Sequence, residues 1–429
     1  MSLRHGAVFI LVGQLNEPMT HVSEKVRAFY ERIPYPPPFT TLDEHRDLYR
    51  NPDRRRVQFH LLWPTKPMRN DQQILIAGCG TSQAARYALR EPEARVTAID
   101  ISEISLGYTR KLKEKYNLEN LEIHQLAIED VAAIRRSFDQ IVCTGVLHHL
   151  QDPDVGLCAL RDVLSRDGAM NLMVYAPYGR AGIYMMQEYC RLLGISSSDE
   201  DLRELSSSLQ ALPLDHPLSG VLRGAKDFRH PEALADALLH PLDRAYTVQQ
   251  LYDWLERCGM SFGRWVEQAC YLPQCGIIAK TRHARSLESL PPRLQHAAVE
   301  LFRGTMVRHK FIAYRDDLAT PSQPISFVGD EWRDYVPIRV PWTITLRERV
   351  PQGRVAVLIN RAHPFTDLIL SINSCEDRLL AAIDGKRTLG EILRITGNDC
   401  DHCSALNFFE RLWQYDQIAL DASRAAHES

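Results

Sequence analysis

The chain has 429 residues, enough for two or three domains, and its 45% apolar and 24% charged residues are the mixture of a globular protein built for water. A net charge of -3 argues against a protein that grips nucleic acid by electrostatics. No apolar run, the one at 7–12 included, is long enough to cross a bilayer, so no membrane partner is expected. The cysteines are scattered through expected strands and helices (Cys79, Cys143, Cys158), which points to reduced thiols in a cytoplasmic protein.

Residues 21–31 have helical periodicity through Val22, Val26, Phe29 and Tyr30. The prolines of Ile33-Pro34-Tyr35-Pro36-Pro37-Pro38-Phe39 then favour a stiff, extended segment. It is either a surface linker or a strap that lays Tyr30 or Tyr35 over a ligand. A helix over 55–62 completes an amino-terminal helical lid, 1–69. The chain is organised around residues 73–100, QILIAGCGTSQAARYALREPEARVTAID. This stretch reads as a buried strand (74–77), a glycine-bearing turn (78–83), a helix, and a second buried strand (95–99) that ends on Asp100. Glycine allows a tight turn and a close approach by a ligand. An acid at the next strand's tip stands where such folds bind a ribose diol. Gln83 occupies the third glycine position of a dinucleotide fingerprint, so a ligand without a pyrophosphate suits this turn better.

Strand and helix continue to alternate: a helix at 104–116, a strand at 121–126, a short helix, a strand at 138–144, a helix at 154–164 and a strand at 169–175. That rhythm implies a parallel sheet covered by helices. Residues 178–240 break it with partly helical, serine- and proline-rich text, which reads as an insertion at the carboxyl edge of the sheet. Thr247-Val-Gln-Gln250 is a capping box that opens another helix. Two last strands are expected at 260–267 and 275–279. Residues 284–429 are a different text: a helix at 290–301, strands at 336–346 and 355–359, helices at 377–383, 388–395 and 404–415, and a strand at 418–421. The last three helices and strand suggest a winged-helix-like module at about 364–421.

The segments ILIAGCGTSQ (74–83), VTAIDIS (96–102), FDQIVCTGVLHHLQDP (138–153) and LRDVLSRDGAMNLMVYAP (160–177) together resemble the core of a class I S-adenosylmethionine-dependent methyltransferase. The resemblance covers roughly 70–283. It implies a Rossmann-like α/β fold with a seven-stranded sheet, one edge strand reversed, carrying the 178–240 helical insertion; a smaller α+β carboxyl-terminal accessory domain occupies 284–429. The implied cofactor is S-adenosyl-L-methionine. Its methionyl part would lie against the backbone of Ala77, Gly78, Cys79 and Gly80, with Gln83 beside it. Its ribose would bind Asp100, its adenine would pack on Ile101, and its methyl would be bordered by Thr144 and Gly145. At the adenine end Ile128 and Glu129 are the candidates, although Glu129 and Asp130 also read as the acidic first turn of a helix.

An imidazole titrates near neutrality, so His148 or His149 in LHHL could take a proton from a nucleophile; the pair also reads as structural. FYERIPYPPP (29–38), LHPLDRAYTVQQLYDWLERCGM (239–260) and VRHKF (307–311) resemble bacterial methyltransferases that carry a carboxyl-terminal accessory domain, some of which methylate lysine side chains. Tyr35 from the strap joins His240, Asp243 and Tyr246 as candidates for the acceptor pocket; Asp243 and Tyr246 serve equally well as anchors of the loop before Thr247. Cys400-Asp-His402-Cys403 has metal-like spacing but no second pair, so no metal is expected. The expected activity is methyl transfer to a protein side chain of lysine type. A small-molecule acceptor is the alternative, and a non-catalytic cofactor-binding regulator is the alternative of another class. The accessory domain offers a surface for a homodimer.

Overall fold

A computed structural model describes residues 19–224, 230–317, 325–397 and 402–425. Three helices open the chain, α1 (Met19–Arg32), α2 (Asp43–Tyr49) and α3 (Asp53–Leu62). The sheet-forming alternation then runs β1 (Gln73–Ala77), α4 (Gln83–Arg90), β2 (Arg95–Asp100), α5 (Glu103–Tyr116), β3 (Leu121–Gln125), β4 (Phe138–Thr144), α6 (Pro153–Val163) and β5 (Leu164–Tyr175). Residues of β1 and β2 are buried on both faces. Leu75, Ala77 and Ile99 pack into one core, whereas Ile74, Ile76, Val96 and Ala98 pack beneath α4 and α5 in another. That double burial explains the unbroken apolar runs.

The insertion is helical: α7 (Ala181–Leu193), α8 (Asp199–Gln210), α9 (Pro217–Gly224) and α10 (Pro231–Leu239). Ile183, Met186, Leu205, Leu218 and Leu234 give it a small core of its own. The amino-terminal helix is tied to it where Ile33 packs with Leu202 and Ala235. The capping box at Thr247 forms as expected and opens α11 (Val248–Arg257). Next come β6 (Met260–Trp265), α12 (Ala284–Glu288), α13 (Pro292–Arg303) and β7 (Arg308–Arg315).

The seven strands are ordered β3-β2-β1-β4-β5-β7-β6. β7 runs antiparallel to both of its neighbours, with Leu172 opposite Phe311 and Trp265 opposite Phe311 on the other side. This corrects the expectation in two ways. Residues 275–279 are a turn leading into a 3₁₀ segment, with Ile277 56% exposed, so the apolar text there is not a strand. The reversed strand is instead the VRHKF region, and it lies inside the sheet rather than at its edge. It also lies beyond the core boundary expected at 283, so the sheet-bearing unit runs to Arg315.

The remainder forms small sheets and helices. The expected strand at 336–346 is two, β8 (Val336–Arg339) and β9 (Thr343–Leu346), separated at Pro341 and belonging to different sheets. A three-stranded sheet is ordered β11 (Ile369–Ile372), β10 (Ala356–Asn360), β9. Helices α14 (Ser374–Ala381), α15 (Leu389–Thr396) and α16 (His402–Gln414) precede β12 (Ile418–Asp421), which pairs with β8. The unit docks on the sheet through Asp416, which accepts from Arg264 Nη2 at 3.1 Å and from the Ala269 amide at 3.1 Å. Cys79, Cys143 and Cys158 are free thiols, whereas Cys375 is disulfide-bonded, a departure from reduced thiols throughout. Cys400 lies outside the described residues. No helix among the described residues is long and apolar enough to cross a membrane.

Candidate active site

The carboxyl ends of β1, β2, β4 and β5 open into a cavity of about 370 Å³, roofed by the proline strap and the insertion helices. Its floor at one end is the glycine turn. Gly78 and Gly80 have φ of +67° and +55°, and a Cβ on Gly80 would stand 2.8 Å from the Tyr35 carbonyl oxygen. Only glycine lets strap and turn meet so closely. Thr81 Oγ1 fastens them by donating to the Pro36 carbonyl at 2.7 Å. The Gly78 and Cys79 amides donate to the Ile99 carbonyl, which holds the turn over the end of β2.

Asp100 sits at that end. One carboxylate oxygen accepts from the Gly80 amide at 2.8 Å and the other from the Ser102 amide at 2.9 Å. Burial pushes this carboxyl up, against the pull of those amides. A carboxylate has about four acceptor sites, so two remain for a ligand. Gly78, Cys79, Gly80, Gln83, Asp100 and Ile101 line the cavity, as do Ile128, Glu129, Thr144 and Gly145. Gln83 Nε2 donates to Thr144 Oγ1 at 2.9 Å. Ala77 lies just beneath, its side chain in the core. Glu129 lines the cavity from the acidic first turn of a 3₁₀ helix (Ile128–Ile134).

The opposite end is built from side chains of distant segments. Asp236, on α10 and 3% exposed, accepts from the Tyr30 hydroxyl at 3.1 Å and from the Tyr175 hydroxyl at 3.4 Å. Burial is the largest influence on the Asp236 carboxyl and pushes it up, against the Tyr30 hydrogen bond. Burial also raises both tyrosines, which therefore stay protonated donors. The Arg180 guanidinium lies 3.5 Å from the centre of the Tyr175 ring, and Arg180 Nη2 pairs with Asp243 at 2.5 Å.

The acceptor candidates separate here. Tyr35 lines the cavity. His148 is fully buried outside it, stacked 3.9 Å from the Tyr175 ring, and burial holds its imidazole well below the usual range. Its neighbour His149 lines the cavity instead. Asp243 is behind the wall, engaged by Arg180 and by Gln187 at 2.9 Å. Tyr246 stacks on Trp254, away from the cavity. Sequence reasoning does not reach Tyr175, Arg180 and Asp236, and it reaches Tyr30 and His149 only as alternatives to Tyr35 and His148. One signal is present for Asp236: it is the lone charge within the buried run ALADAL of α10.

Residues 75–170 match the family described as a methyltransferase domain. An uncharacterized protein of Synechococcus sp. is 31% identical over 303 residues, which cover 66% of this chain and 72% of that protein. A ubiquinone biosynthesis O-methyltransferase of Neisseria meningitidis is 29% identical over 122 residues, 26% of this chain and 51% of its own length. Among solved structures, PKMT2 from Rickettsia typhi, in complex with AdoHcy, superposes with a TM-score of 0.61 at 15% identity, covering 90% of this chain and 77% of that one. At that identity the likeness is one of fold, and it extends over the carboxyl-terminal unit.

Proposed function

We propose, from the premise that this chain belongs to the class I S-adenosylmethionine-dependent methyltransferase superfamily, that it methylates an amine on a protein side chain, of lysine type. The chain is a methyltransferase that uses S-adenosyl-L-methionine. Its residues fit that molecule: a glycine turn without a pyrophosphate cradle, and a buried carboxylate with two acceptor sites free for a ribose diol. In this reading Gly78 to Gly80 and Gln83 hold the methionyl part, Asp100 the ribose, Ile101 and Ile128 the adenine, and Thr144 and Gly145 border the methyl. When bound, the cofactor supplies a methyl group on a sulfonium, already a good leaving group. The protein's contribution is then chiefly orientation.

The observation that carries the amine reading is Asp236 with its two tyrosines. A buried carboxylate flanked by aromatic rings attracts a cationic amine through charge and ring quadrupole together. The extra surface of the carboxyl-terminal unit supports a protein acceptor. A homodimer through that unit and a cytoplasmic setting belong to the same proposal. A small-molecule acceptor is the second reading, favoured by the insertion helices that roof the cavity.

The test is transfer of tritiated methyl from labelled cofactor into cell lysate, split by protein precipitation, followed by hydrolysis of the protein fraction. Label in methylated lysine is expected, and Asp236→Asn should lower the rate roughly 100-fold with cofactor affinity unchanged. Label confined to small molecules would overturn the protein reading. No label at all would favour a non-catalytic regulator.

A further inference from the structure

We propose that His149 is a catalytic residue that takes the proton from the methyl acceptor through Nε2, with its tautomer fixed by the Leu242 peptide; this rests on the methyl-transfer reading but not on the acceptor being a protein. His149 Nδ1 lies 2.6 Å from the Leu242 carbonyl oxygen. A carbonyl only accepts, so Nδ1 carries the hydrogen and the lone pair of the neutral ring is on Nε2. Nε2 is buried without a hydrogen-bond partner, on a ring that lines the cavity. The structure thus holds a pre-oriented ring nitrogen without a partner, buried in the wall of the cavity at the acceptor end.

The same peptide unit orients the neighbouring ring. The Leu242 amide donates to His240 Nδ1 at 3.1 Å, and the centres of the His240 and His149 rings lie 3.8 Å apart with the planes tilted by 36°. The charged and titratable groups around His149 favour a proton arriving there. Burial holds both His240 and His148 well down, so neither neighbour adds a positive charge. Tyr175 faces the ring edge-on from β5 and stays neutral. Asp236, from α10, interacts with His149 through charge and offsets the imidazolium that forms. Arg180 opposes it, but is itself paired with Asp243.

In the step, Nε2 takes a proton from the incoming ammonium. The freed nitrogen lone pair forms the N–C bond as the C–S bond of the sulfonium breaks, and that electron pair remains on sulfur. The product leaves as a methylammonium, and the imidazolium passes its proton to water.

The experiment pairs imidazole nitrogen NMR on the full chain labelled with ¹⁵N-histidine with the variant His149→Asn. The asparagine amide keeps a donor for the Leu242 carbonyl and removes Nε2. The His149 signals, identified by their absence from the spectrum of His149→Asn, should show a proton on Nδ1 and a bare Nε2 at neutral pH. With whichever lysate fraction the wild type labels, His149→Asn should lose roughly 100-fold in rate at neutral pH. That loss should shrink as the pH rises and the acceptor sheds its own proton. Unchanged calorimetric affinity for S-adenosylhomocysteine shows that the variant's site is intact; if affinity is lost, His149→Gln takes its place beside the wild-type NMR result. A proton on Nε2 at neutral pH overturns the proposal, as does a variant with wild-type rate and pH profile. Absence of label from the wild type sinks the methyl-transfer reading and this proposal with it.

Discussion

The two ends of the cavity are made in different ways. The cofactor end is backbone: the tips of neighbouring parallel strands, two glycines with positive φ, and one carboxylate held by two amides within three residues of the strand ends. The acceptor end is side chains from α1, β5, α10 and the loop after it. Tyr30 and Asp236 are 206 positions apart, and Tyr175 and Asp236 are 61 apart. A site built from adjoining strand ends is inherited with the sheet. A site built from distant helices exists only when those helices are packed, so its residues hold the roof in place as well as lining the cavity.

That contrast can be broken by mutation. The largest effect is expected at the acceptor end, on stability. Arg180→Met removes one partner of an ion pair whose side chains are 5% and 3% exposed, and leaves Asp243 buried and uncompensated. The expected cost is about 3–5 kcal/mol, read as a lowered Tm with loss of the insertion's protection in hydrogen exchange. A Tm within a degree of the wild type would mean that this end is not held by its side chains.

At the cofactor end the effect should fall on binding. Asp100→Ala removes the carboxylate proposed to bind the ribose, and affinity for S-adenosylhomocysteine should drop roughly 100-fold in calorimetry. Unchanged affinity would break the assignment of that end.

The smallest effect sharpens the comparison from outside both ends. Glu122 on β3 is held at about 2, below its ordinary 4.5, by hydrogen bonds from Arg95 and Arg136. Its depressed value means that the stability it contributes is present above about 4.5 and lost as the pH falls towards about 2. Its side chain is 34% exposed, so Glu122→Gln should cost under about 1 kcal/mol at neutral pH. Denaturant midpoints of variant and wild type should converge in acid. A gap that persists at low pH would mean that the pair is not what the substitution removes.

Local chemistry explains which parts were readable in advance. The turn at Gly78–Gly80, the strand beneath it and Asp100 lie in one stretch of 28 residues, where buried strands show as apolar runs and a missing third glycine argues against a pyrophosphate. The insertion was legible as broken rhythm, and the capping box at Thr247 formed where its spacing placed it. The reversed strand was not legible. Residues 275–279 are apolar but include the exposed Ile277, whereas β7 begins with Arg308, His309 and Lys310, whose basic text hides a strand that buries His309 completely.

By itself, then, the sequence determined the alternation of strands and helices from β1 to β5, the glycine turn and the acid at the tip of β2, because backbone periodicity and turn chemistry act over a few residues. Only the tertiary structure decided that His149 rather than His148 faces the cavity, that Asp243 stands behind its wall, and that Asp236 gathers Tyr30 and Tyr175. Those outcomes depend on how helices far apart in the chain pack and which way each side chain then turns, and no local pattern encodes that.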